Sequence, residues 1–169
     1  MPTLYLLFGY PGAGKTSAAK LLQQQTGAVH LSSDELRIQL FPKPSFSQPE
    51  HDELYKQLDR RTEELLASGQ SVIYDANLNR RQHRQEKYRI ASRTGAAYQL
   101  LWIQTPRAEA RHRATDPSRN HLIVPGETAG QMFDRIADLI EEPTADEPTT
   151  IINGQDLSAQ LLTKVVKTA

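Results

Sequence analysis

The sequence predicts an α/β fold in which five parallel strands form one sheet covered on both faces by helices, a three-layer α/β/α arrangement. Three observations lead there. Short apolar runs alternate along the chain with segments of helical periodicity. A glycine-rich turn joins the first apolar run to the first helix-like segment. The 169 residues, 38% of them hydrophobic, can bury a sizeable core and predict a single domain over residues 1–169.

The first strand is the apolar run Leu4-Tyr-Leu-Leu-Phe8, which reads as buried on both sides. Lys15 to Gln25 follows as a helix with Leu21 and Leu22 turned inward. Ala28-Val-His-Leu31 is the second strand, and Asp34 to Leu40 a short helix capped by Ser32 or Ser33. Pro42, Pro44 and Pro49 bracket a loop before a longer helix, Glu50 to Ala67, whose Leu54, Leu58, Leu65 and Leu66 recur at helical intervals and which ends at Gly69. Ser71-Val-Ile-Tyr74 is the third strand. A basic helix from about Asn79 to Ser92 leads through Gly95 to the fourth, Tyr98 to Ile103. Pro106 opens a helix carrying Arg107, Arg111 and Arg113. After a turn-rich span come an amphipathic helix with Met132, Phe133, Ile136, Leu139 and Ile140, and a polar link from Pro143 to Pro148. Thr150-Ile-Ile152 is the fifth strand, Asn153-Gly154 a turn, and Leu157, Leu161, Leu162 and Val165 mark a last helix.

The turn after the first strand, Gly9-Tyr10-Pro11-Gly12-Ala13-Gly14-Lys15-Thr16-Ser17, contains the full phosphate-binding pattern G-x-x-x-x-G-K-T in its required place between strand and helix. Its glycines let consecutive peptide N–H groups turn inward around phosphate oxygens, and the helix N-terminus adds partial positive charge. Lys15 can then reach the β- and γ-phosphates of a nucleoside triphosphate, and the Thr16 hydroxyl can ligate Mg²⁺. The sequence therefore predicts a P-loop NTPase fold that binds a nucleoside triphosphate with Mg²⁺.

Ligands on such sheets sit at the carboxyl ends of the strands, which directs attention to the residues just beyond each one. After the second strand, Asp34 could accept a proton or orient an incoming hydroxyl, or serve only as a helix cap or first-turn acid. Arg37 lies one helical turn on, where it could hold a substrate or fix that carboxylate. After the third, Asp75 could complete the Mg²⁺ shell with Thr16 or close a turn, and Asn77 and Asn79 read as turn and cap residues. After the fourth, Arg113 and Arg119 border a short lid at about 114–125 that could bring guanidinium groups over the triphosphate. Arg80, Arg84 and Lys87 fall at helical spacing and predict either a solvated face or a basic track for a polynucleotide.

Twenty basic and twenty acidic side chains leave no net charge, unlike a general nucleic-acid binder. Without cysteine there are no disulfides or zinc-thiolate sites. No run approaches the roughly 20 apolar residues of a membrane helix, and Met1 to Phe8 lacks a basic leader, so the expectation is a cytoplasmic protein.

Taken in order, GYPGAGKT, SSDELR, DANLNRRQHR and the late arginines resemble the P-loop kinases grouped around the 5′-hydroxyl polynucleotide kinase, with zeta toxins and chloramphenicol phosphotransferase as more distant relatives. The resemblance runs to about Ile140. It implies a nucleoside-kinase-like fold with an arginine-bearing lid and transfer of the ATP γ-phosphoryl to a hydroxyl, first of all the 5′-OH of a single-stranded nucleic acid. It makes Asp34 the general base and Arg37 the acceptor-holding cation, with Lys15, Arg113 and Arg119 on the phosphates and no obligate protein partner. A small-molecule hydroxyl as acceptor, or an ATP-binding switch without transfer, are the other readings these residues allow.

Overall fold

In a computed structural model, residues 1–119, 122–158 and 164–165 are described. Five strands, β1 (Thr3–Phe8), β2 (Val29–Ser32), β3 (Val72–Asp75), β4 (Ala97–Gln104) and β5 (Thr149–Asn153), form one sheet in the order β2-β3-β1-β4-β5. Every pairing is parallel, with β1 at the centre between β3 and β4. The intervening helices are α1 (Lys15–Thr26), α2 (Ser33–Leu40), α3 (Gln48–Ala67), α4 (Arg81–Thr94), α5 (Arg107–Ala114) and α6 (Ala129–Asp138). The predicted fold class is the one observed, with strand limits moved by a residue or two. The last predicted helix falls largely outside the described residues, including Leu161 and Leu162. Leu157 packs against the core and Val165 is buried within it.

The period-two alternation of β1 decides which helix covers which face. Leu4, Leu6 and Phe8 pack with Leu54 and Leu58 of α3 and Ile90 and Ala91 of α4. Tyr5 and Leu7 pack on the opposite face with Ala18, Ala19 and Leu22 of α1. No helix among the described residues is long and apolar enough to cross a membrane.

The basic helix is a correction. Arg84 and Lys87 lie on the inward stripe of α4 with Ile90 and Ala91, and are 0% and 2% exposed. Arg84 donates Nε to Glu147 Oε2 (2.7 Å) and Nη2 to Glu147 Oε1 (2.8 Å), while its Nη1 reaches the carbonyls of Leu78 and Glu141, both at 3.0 Å. Lys87 Nζ donates to both oxygens of Asp59 (2.7 and 2.6 Å), which also accepts from Tyr74 Oη. Buried charges persist only with such partners. Of the proposed face, only Arg80 is exposed to solvent.

Candidate active site

Because β1 is central, the loop that leaves it opens at the middle of the sheet's carboxyl edge. Gly12 takes φ 77°, and a β-carbon there would overlap the Ala110 carbonyl oxygen and lie 2.9 Å from Ala114 N, so α5 rests directly on the loop backbone. α1 starts at Lys15 with no side-chain cap and no acid in its first turn, which leaves its N-terminal dipole uncompensated by side chains. Lys15 Nζ donates to the carbonyls of Gly9 and Tyr10, each at 2.8 Å. Burial pushes its amine down to about 8, against the upward pull of Asp75 and Asp34. The Thr16 hydroxyl donates to Asp75 Oδ2 at 3.1 Å.

A cleft of about 830 Å³ runs from this loop between α2, α3 and α6. Gly9, Pro11, Gly12, Gly14, Lys15, Thr16 and Ser17 line one end, and Asp34, Arg37, Asp75 and Arg119 line it further on. Ala13 is buried beneath, its carbonyl accepting from Thr105 Oγ1 at 2.9 Å. Arg113 is not among the lining residues. It pairs with Glu109 and reaches the Gly154 carbonyl (3.5 Å), beside the turn after β5.

Ser32 caps α2, its Oγ accepting from Glu35 N at 3.4 Å, so the capping role open to Asp34 is already filled. Asp34 stands in the first turn, reachable from the cleft. The surrounding protein desolvates its carboxyl and Asp75 adds like charge. Together they raise its pKa above the ordinary value against the pull of Arg37 and Lys15. The upward shift makes the carboxylate a stronger proton acceptor than an ordinary aspartate. Arg37 is 7% exposed and forms an ion pair with Glu50 of α3.

The donor set fits Mg²⁺ held jointly with a substrate triphosphate. Thr16 Oγ1 and Asp75 Oδ2 are adjacent oxygens that could serve such an ion, and among the described residues no group of three or more His, Cys, Asp or Glu could hold a metal by itself.

A family model described as an AAA domain matches residues 4–139. The chain belongs to this AAA-domain family. No curated protein matches it. Among solved structures, a gluconokinase from Sinorhizobium meliloti superposes with a TM-score of 0.69 at 15% identity, over 99% of this chain and 94% of that one. The APS kinase CysC of Mycobacterium tuberculosis, in complex with AMPPNP and APS, gives 0.56 at 19% identity over 82% and 96%. A chain of the Pnkp1/Rnl/Hen1 complex gives 0.60 at 21% identity, covering 75% of this chain and 43% of that one. At these identities the likeness is one of fold, a P-loop kinase fold.

Three residues of this AAA-domain protein escaped the sequence reading. His30 Nε2 lies 2.9 Å from Asp75 Oδ2, the same oxygen that accepts from Thr16 Oγ1, and so helps fix that carboxylate. A histidine inside an apolar strand was the available signal. Glu50 and Phe46 surround Arg37, the ring of Phe46 lying 4.7 Å from the guanidinium carbon. Asn79, by contrast, behaves as its type suggests, its N–H donating to the Asn77 side-chain oxygen (3.1 Å) and its side-chain amide donating to the Ile136 carbonyl (3.3 Å).

Proposed function

We infer that the chain is an ATP- and Mg²⁺-dependent kinase, one cytoplasmic domain with a short lid around Arg119, that phosphorylates a hydroxyl of a small molecule. The observation that carries the reading is the convergence of Lys15, Thr16 and Asp34 on one cleft. Bound Mg²⁺ supplies neutralisation of charge on the β- and γ-phosphates. Lys15 would exchange its carbonyl partners for phosphate oxygens, and Asp34 would take the proton of the acceptor hydroxyl as its oxygen bonds to the γ-phosphorus. The bond from that phosphorus to the β,γ-bridging oxygen breaks, and ADP leaves with the electron pair. Inward Arg84 and Lys87 remove the track that a polynucleotide would need, which favours a small acceptor. The D-x-x-R run of Asp34 and Arg37 keeps a 5′-OH strand as the second reading.

The test is transfer of a labelled γ-phosphoryl to a panel of sugars, nucleosides, aminoglycosides and 5′-OH oligonucleotides. Label should appear in a small acceptor. ATP hydrolysis that no acceptor stimulates would indicate a switch module instead. Asp34→Asn keeps the side-chain shape and should lower kcat by about 10²-fold with little change in ATP affinity. A drop in melting temperature with kcat intact would mean that Asp34 is structural.

The pH dependence follows from the two shifted groups. Asp34 must lose its proton to act, so kcat/KM rises with pH through its raised pKa; Lys15 must keep its own, so kcat/KM falls as pH passes about 8. With ATP saturating, the triphosphate holds Lys15 charged, and the alkaline limb of kcat should move upward. Identical limbs in the two profiles would remove Lys15 from this role.

A further inference from the structure

Arg37 is the cation nearest to where an acceptor would meet Asp34, yet its charge is already matched. Glu50, itself 7% exposed, pairs with its guanidinium. Glu50 is in turn fixed by Ser45, whose N–H and hydroxyl donate to Oε2 at 2.6 and 2.8 Å. Burial opposes charge on Glu50, but these bonds and Arg37 bring its pKa down to about 2, so it is ionised throughout the working range. Phe46 then covers the pair. It takes φ 56°, the one non-glycine residue among the described residues with positive φ, a conformation that persists only where the surrounding structure imposes it.

The rest of the acceptor half offers an anion little. Arg135, which also lines the cleft, is engaged by Glu127 through two bonds at 2.7 and 2.8 Å. Asp34 and Asp75 both present carboxylates, Lys15 belongs to the phosphate loop, and Arg119, exposed at the cleft's edge, serves the triphosphate on the kinase reading. Apolar side chains of Phe46, Ile123, Val124, Met132 and Ile136 line the same space.

Resting on the kinase reading above, we propose that the acceptor is an electrically neutral alcohol with an apolar face, and that Glu50 and Phe46 set this specificity by neutralising and covering Arg37. An anionic acceptor would bring its charge against Asp34 without gaining Arg37 or Arg135 in return, a like-charge arrangement that rejects partners. The transfer step is unchanged: the neutral alcohol's oxygen bonds to the γ-phosphorus, its proton goes to Asp34, and ADP departs.

The test compares acceptors in matched pairs that share a body and a primary hydroxyl and differ by one anionic group: thymidine with thymidine 3′-monophosphate, glucose with glucose 1-phosphate, and benzyl alcohol with 4-(hydroxymethyl)benzoate. Acceptor-dependent ADP release is measured on the full chain, with ATP binding followed by thermal shift. In each pair that is phosphorylated, the neutral member should have the higher kcat/KM, by about tenfold or more. Phe46→Gly removes the cover and suits the positive φ, so it should fold, and it should shrink that ratio by uncovering Arg37; Glu50→Gln should shrink it further. Preference for the charged members in the wild type, or a ratio that neither variant moves, overturns the proposal and leaves the kinase reading standing. ATP binding with no transfer to any member, while an anionic acceptor of the wider panel is labelled, overturns this proposal alone; no transfer to any acceptor of either panel overturns the kinase reading, and this proposal with it.

Discussion

Lys15→Ala is expected to lower phosphoryl transfer by about 10³-fold or more, because it removes a preorganised cation from the position where the γ-phosphoryl charge develops. Stability should hold. The amine is desolvated at rest, with its pKa displaced to about 8, and among the described residues its hydrogen bonds go to the Gly9 and Tyr10 carbonyls, so the fold loses those two bonds and is relieved of a buried charge. Steady-state transfer measured beside thermal melting checks both halves. A variant with wild-type kinetics would show that the loop does not handle the transferred phosphate.

Arg84→Ala should act in the opposite sense, on stability first. Removing one partner of a fully buried pair leaves Glu147 uncompensated and typically costs about 3–5 kcal/mol, or roughly 10 °C in melting temperature for a chain of this length. The Arg84→Met, Glu147→Leu double variant should recover only part of that loss, because the Leu78 and Glu141 carbonyls also lose their donor. Recovery in full would mean that the ion pair alone matters; no loss in the single variant would mean that the pair is not buried in solution.

Legibility in the sequence followed the distance between partners. The phosphate loop is a contiguous motif whose geometry is local, and β1 to β5 announce themselves as apolar runs between turn formers. Asp34 and Asp75 were found because strand ends in a parallel sheet share one edge. The charge state of Arg37 was not legible, since its partner Glu50 lies on the next helix and Ser45 and Phe46 on the loop between. Arg84 misled for the same reason: Glu147 stands 63 residues away. The thinness of the apolar stripe on α4, where Arg84 and Lys87 occupy the inward positions beside Ile90 and Ala91, was the sign that these cations complete a core.

The turn after β5 ties the two ends of this architecture together. Gly154 N donates to the Gln104 carbonyl at 2.6 Å, and a β-carbon on Gly154 would overlap Thr105 Oγ1 and lie 2.6 Å from Ala13 O. The phosphate loop is therefore synthesised well before the segments that support it. Its partners in α5 and beyond β5 are separated from it by most of the chain, contacts of the long-range kind that form slowly in parallel sheets. Nascent chains that stop before β5 would display the glycine motif without its backing, and acquisition of nucleotide binding would report that the final strand has docked.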